Sequence, residues 1–119
     1  MALVLFMHRG GSAEWSIPLT SPTGVPKDLT AATGLVFLAK RRIDDADVDA
    51  AITSTPVVTD AAGGIVRVKL APADSVSLDP RLYVWGMQLL DGSGNLWEFP
   101  DPSQEPGKLI IRAGVVVAT

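Results

Sequence analysis

Residues 65–70 read Ile-Val-Arg-Val-Lys-Leu, a strict alternation that suits a strand, where successive side chains point to opposite faces. The spacing predicts Val66, Val68 and Leu70 facing a core, with Arg67 and Lys69 facing solvent or a partner. The same period recurs over 82–90, where Tyr83, Trp85, Met87 and Leu89 share one face and Leu82, Val84, Gly86, Gln88 and Leu90 the other. Over 14–19 it groups Trp15, Ile17 and Leu19. Pro18 restricts that segment to an edge or a strand end, because proline lacks the donor that a ladder needs. Residues 35–41 are apolar almost throughout, as expected of a strand covered on both faces by its own chain or on one by a partner. Asp91-Gly92-Ser93-Gly94-Asn95 closes a hairpin and sets Trp97 and Phe99 on the returning strand, sharing one parity and able to pack across it.

The remaining segments are shorter. Ala2–Met7 and 108–118 read as first and last strands, and 56–60 as a short one ending in the turn at 60–64. Residues 43–52 are expected to form a loop or a single helical turn capped by Asp44 or Asp45. Residues 71–80 offer another helical turn whose Val76 and Leu78 can plug the end of a sandwich. Short strands, frequent turns and no helix long enough for a parallel crossover predict an all-β fold. The expected architecture is an antiparallel β-sandwich of seven to eight strands, with 1–119 as a single domain.

Composition narrows the function classes. The chain has no cysteine, which excludes disulfide frameworks and thiolate metal sites. The N-terminal apolar run is too short for a signal-peptide core, and no stretch approaches the length that spans a bilayer, so a soluble protein with no membrane partner is expected. A net charge of −3 with no basic cluster beyond Lys40-Arg41-Arg42 argues against nucleic acid as a partner. A mean hydropathy of +0.28 with 19% charged residues points to surface covered by a partner.

Sites of chemistry are sparse. His8 is the single histidine and reads as a strand-end residue more readily than as a catalytic base. Asp45, Asp47 and Asp49 have the opening spacing of a calcium loop. However, Ala50 stands where that loop needs glycine and Pro56 where it needs a bidentate glutamate, so a solvated acidic loop pairing with Lys40-Arg41-Arg42 is expected. Glu14, Glu98, Asp101 and Glu105 are the candidates for paired carboxylate chemistry, but most carboxylates stand beside Gly, Pro or Ser as turns require. The Gly-rich 92–95 precedes a strand and is no phosphate loop. Trp85 and Trp97 allow a sugar-stacking platform or a core, and the alternation favours the core. Neither an enzyme nor a cofactor is expected.

The ordered landmarks "WSIPLTSPTGVPKDLTAATGLVFLAKRR", "VVTDAAGGIVRVKLAPADSVSL", "LYVWGMQLLDGSGNLWEF" and "GKLIIRAGVVVAT" span roughly residues 14–119. In them the chain resembles the small immunoglobulin-like domains of bacteriophage and prophage tail or baseplate proteins, similar to the N-terminal domain of baseplate upper proteins. Two positions depart from that pattern: Gly86 stands where an aspartate is usual, and "PDPSQEPGK" lengthens the loop before the last strand. The resemblance implies a non-enzymatic structural protein of the virion, made in the host cytoplasm and assembling with other virion proteins in the tail or baseplate or as a fibre attachment. A capsid decoration protein and a module binding host-surface glycans are the alternatives.

Assembly would use unprotected strand edges. The segments at Ala2–Met7 and Val115–Ala118 carry no internal charge or proline, and such an edge invites strand addition. Leu3, Val4, Leu5, Phe6, Val115, Val116 and Val117 are therefore the expected subunit contacts of a homo-oligomer, a trimer or a ring.

Overall fold

The computed structural model describes residues 3–101 and 103–113, and in it the alternating segments are strands. In chain order these are β1 (Val4–His8), β2 (Ala13–Pro18), β3 (Thr33–Lys40), β4 (Ile52–Ser54), β5 (Val57–Asp60), β6 (Ile65–Leu70), β7 (Arg81–Leu90), β8 (Leu96–Phe99) and β9 (Gly107–Arg112). They form two sheets. The larger has the order β1-β9-β7-β3-β4 with β8 also paired to β7, and the smaller has the order β2-β6-β5. The expected all-β sandwich is what the structure shows. The described residues hold nine strand segments, and one pairing, β1 with β9, is parallel, so the larger sheet is mixed.

The strand order follows that of immunoglobulin-like sandwiches, with β2-β6-β5 matching B-E-D and β9-β7-β3-β4 matching G-F-C-C′. A tyrosine corner accompanies it: Tyr83, near the start of β7, donates its phenolic hydrogen to the Asp79 carbonyl at 2.8 Å. Cysteine would ordinarily follow two residues later. Here Trp85 stands at that position and stacks on Phe37 of β3 with ring centroids 5.5 Å apart.

The core is the inner parity of the strands other than β5 and β8. Tyr83, Trp85, Met87 and Leu89 of β7 meet Phe37 and Ala39 of β3, Leu109 and Ile111 of β9, and Leu5 and Met7 of β1, with Ile17, Val66, Val68 and Leu70 on the facing sheet. Trp97 and Phe99 lie opposite Leu89 and Met87 and pack against this cluster, as the hairpin parity predicts. In the hairpin turn the Asp91 carboxylate accepts from the backbone N–H of Ser93 and of Asn95, and Gly94 takes a φ of 82°.

Three local expectations are corrected. The turn within 43–52 is a 3-10 helix over Asp47–Asp49 with Ala46 at its N-cap and no side-chain cap, because Asp45 instead accepts from the Arg42 N–H. Val76 is exposed, and only Leu78 packs on the core; Ser75 enters the sandwich end, where its hydroxyl accepts from the Gly10 N–H at 2.9 Å. The short β4 over Ile52–Ser54 takes the last residue of the stretch read as loop or helical turn and two further residues outside any expected element.

Gly107 has no room for a side chain. A Cβ there would lie 2.1 Å from the Trp85 indole, which crosses over it and donates its Nε1 hydrogen to the Lys108 carbonyl at 3.1 Å. Gly107→Ala is therefore expected to destabilise the fold by about 1–3 kcal/mol, read as a lower urea midpoint at unchanged m-value. A second expectation concerns pH. Burial, the largest cause, raises the Tyr83 phenol above its ordinary 10.0. The native state then keeps a proton that the unfolded chain has lost, so this contribution is full below about pH 10 and is lost as pH rises through the folded value. Tyr83 is the sole tyrosine, so ultraviolet difference absorbance follows it directly, and Tyr83→Phe is expected to flatten the alkaline fall in stability.

Candidate functional site

Strand β1 is the outer edge of the larger sheet. Its bonds to β9 are bracketed by Lys108 N–H donating to the Leu3 carbonyl and Arg9 N–H donating to the Arg112 carbonyl. In a parallel ladder the residues of one strand alternate in which side their N–H and C=O face. Leu5 and Met7 thus bond inward with Leu3 and Arg9, while Val4, Phe6 and His8 turn their backbone groups to the open edge. Such a row can accept another strand.

The side chains divide by the other alternation. Leu5 is 6% exposed and belongs to the core, so it could join an edge contact only through its backbone, whereas Leu3, Val4 and Phe6 are exposed. Phe6 is 51% exposed, with the Arg112 guanidinium 5.0 Å from its ring centroid. The register places Phe6, Ile110 and Leu82 side by side on the outer face of the sheet, an apolar row leading inward from the edge. Val115, Val116 and Val117 lie outside the described residues.

A second feature of the same face lies nearer the sheet centre. β9 pairs with Arg81–Trp85 of β7, and β8 pairs with Met87–Leu90, so Gly86 stands between the two registers, where the chain leaves the sheet over 100–106. A groove of about 360 Å³ opens there. Gly86, Leu38 and Val84 lie in its floor; Ile43 and Asp47 line it from the acidic loop, and Pro100, Asp101 and Gln104 from the excursion. Neither backbone nor packing demands a glycine at 86: its φ is not in the left-handed region, and a Cβ would meet only the Phe99 carbonyl oxygen at 3.5 Å. Glycine in a strand costs roughly 0.5–1 kcal/mol relative to alanine. What that cost leaves is an open floor.

Charge in the groove is uneven. Lys40 is bound by its own loop, its Nζ donating to the Asp47 carboxylate at 2.6 Å and to the Asp45 carbonyl at 2.8 Å. Asp101 accepts from the Ser103 hydroxyl and N–H, which hold its carboxyl below the usual carboxylate range. Glu98 lies opposite Gln88 on the outer face. Among the described residues, neither Glu98 nor Asp101 has a cationic partner.

The other candidates are not brought together. Asp45, Asp47 and Asp49 stay in the solvated loop, with Lys40 the basic residue that pairs there while Arg41 reaches Asp79 at 3.2 Å. No group of three or more metal-ligating side chains occurs among the described residues. Glu14 pairs with Arg67 on the smaller sheet, whereas Glu98 is on β8 of the larger and Asp101 follows that strand. His8 ends β1, exposed and level with Arg112. Trp85 is buried, and Trp15 and Trp97 are half-buried against the core, Trp97 with Lys27 Nζ 5.4 Å from its ring centroid. The groove was foreshadowed in sequence only by Gly86 and the long 100–106 segment; their meeting depends on the register of β8 and β9.

No protein-family model matches the chain, and comparison with curated sequences finds no match either.

Proposed function

We propose that this protein is a non-enzymatic structural module of a bacteriophage virion, a tail, baseplate or fibre-attachment component that acts by protein–protein assembly. The observation that carries the assembly reading is the open β1 edge, with Leu3, Val4 and Phe6 exposed along it and the Phe6–Ile110–Leu82 row continuing from it. A strand edge alone buries less than the roughly 1,200–2,000 Å² of a specific interface, and the adjoining apolar row supplies further contact area. A second copy adding its own β1 would give an isologous pair, and addition to a different strand would give a ring. The resemblance of the ordered motifs to those of tail and baseplate domains is the support for the virion setting.

Two substitutions separate backbone from side-chain contributions. Phe6→Pro removes an N–H that β1 does not use for β9, and Phe6→Lys places a charge at the edge end of the apolar row. Sedimentation equilibrium is expected to show concentration-dependent oligomers for the wild type and monomers for both variants, at unchanged far-ultraviolet circular dichroism. A wild type that stays monomeric throughout the accessible concentration range overturns the assembly reading. In particles purified from the source cell, the chain is expected to co-sediment with the virion, and recovery only in the particle-free supernatant overturns the virion assignment.

A further inference from the structure

We propose that the groove over Gly86 is a docking site for an extended segment of a partner polypeptide carrying a lysine or arginine between apolar residues. The proposal rests on the reading of the chain as a binding module and names what one of its faces binds.

The floor is apolar, and Gly86 is the residue that makes it deep. Its neighbours on the outer face, Leu38 across the β3–β7 pair and Val84 two residues back, are half-buried aliphatic side chains. They offer a seat for the methylene stem of a long basic side chain, which gains by burying its stem while keeping its charge near water. At the groove's margin stand two carboxylates: Glu98 on β8 and Asp101, fixed by Ser103. The one cation of the lining, Lys40, is already bound to Asp47 and Asp45, so among the described residues nothing neutralises Glu98 and Asp101. An apolar floor with an acidic rim selects a cationic side chain on a hydrophobic stem, and repels an acidic one.

The shape fits an extended segment. Ile43 and Asp47 on one side and Pro100, Asp101, Gln104 and Pro106 on the other wall the floor, leaving it open at the surface. At Gly86 neither β8 nor β9 is in register with β7, so no β8 or β9 side chain stands directly beside it on the outer face. The occupant therefore differs from the strand that β1 would accept: that contact is made along backbone edges, and this one on a sheet face.

The test uses acetyl-Val-Arg-Val-amide and acetyl-Val-Glu-Val-amide, titrated into isotope-labelled full-length protein and followed by amide chemical shifts. The arginine peptide is expected to move the amides of Leu38, Gly86, Gln88 and Asp101 saturably, and the glutamate peptide to leave them in place. Gly86→Leu, which fills the floor, is expected to abolish the saturable shifts. Glu98→Gln, at an exposed position that spares the core, is expected to weaken binding by about threefold to fivefold. Equal response to both peptides, no saturable response, or undiminished binding by a folded Gly86→Leu overturns the proposal. Shifts at these amides that follow protein concentration without peptide also overturn it, assigning the groove to a second copy. Repeating the titration on Phe6→Pro separates this result from assembly: peptide binding by a monomer upholds the groove when the β1 edge reading fails, and an assembling protein that ignores peptide does the reverse.

Discussion

The sandwich is organised around one aromatic contact, the Trp85 indole lying across Gly107. In a cysteine-free chain this ring occupies the place where an inter-sheet disulfide would otherwise anchor the central strand. It stacks on Phe37, meets Phe99 at 6.1 Å and satisfies its own N–H at the Lys108 carbonyl, so a single side chain ties β3, β7, β8 and β9 together. A disulfide constrains chiefly the unfolded chain, whereas a ring acts by packing and desolvation in the folded one. The fold therefore depends on shape complementarity around Trp85, independent of redox conditions.

That arrangement also explains why the outer face of the same sheet carries the groove and the apolar row. With the large residues of β7 committed to the interior, the opposite parity is left with Leu82, Val84, Gly86, Gln88 and Leu90, a mixture too apolar for a solvated face and too small for a second core. Leu82 and Leu90 are exposed, while Val84, Gly86 and Gln88 are half-covered by the two loops that flank the groove. The sheet is covered unevenly, dense within and open without.

Much of this was legible in sequence wherever local periodicity was strong. The strands at 65–70 and 82–90 were, because alternation there separates two chemically different faces, and the parity of Trp97 and Phe99 followed from the turn. What escaped was nonlocal or short. The parallel pairing of β1 with β9 joins opposite ends of the chain and leaves no local trace; β4 has only the residues Ile52–Ser54 in which to show a period. Ser75 displaced Val76 from the sandwich end because its hydroxyl satisfies the Gly10 N–H, which a valine cannot do. For the site, the edge character of the N-terminal segment could be read from its lack of charge and proline. The groove could not, since Gly86 becomes a floor only when β8 stops and β9 begins beside it.

The break between β8 and β9 has a consequence for how such a protein can diversify. Both segments run along the same side of β7, one after the other, so the intervening stretch leaves the sheet and returns to the same line with its ends already held in place. The entropy of closing a loop grows only logarithmically with its length, about 0.6 kcal/mol for each doubling. Residues can thus be added or exchanged between Phe99 and Gly107 while the two strand anchors remain where Trp85 and its neighbours put them. The sandwich works there as a mounting bracket, with one wall of the groove interchangeable and the floor and the opposite wall fixed.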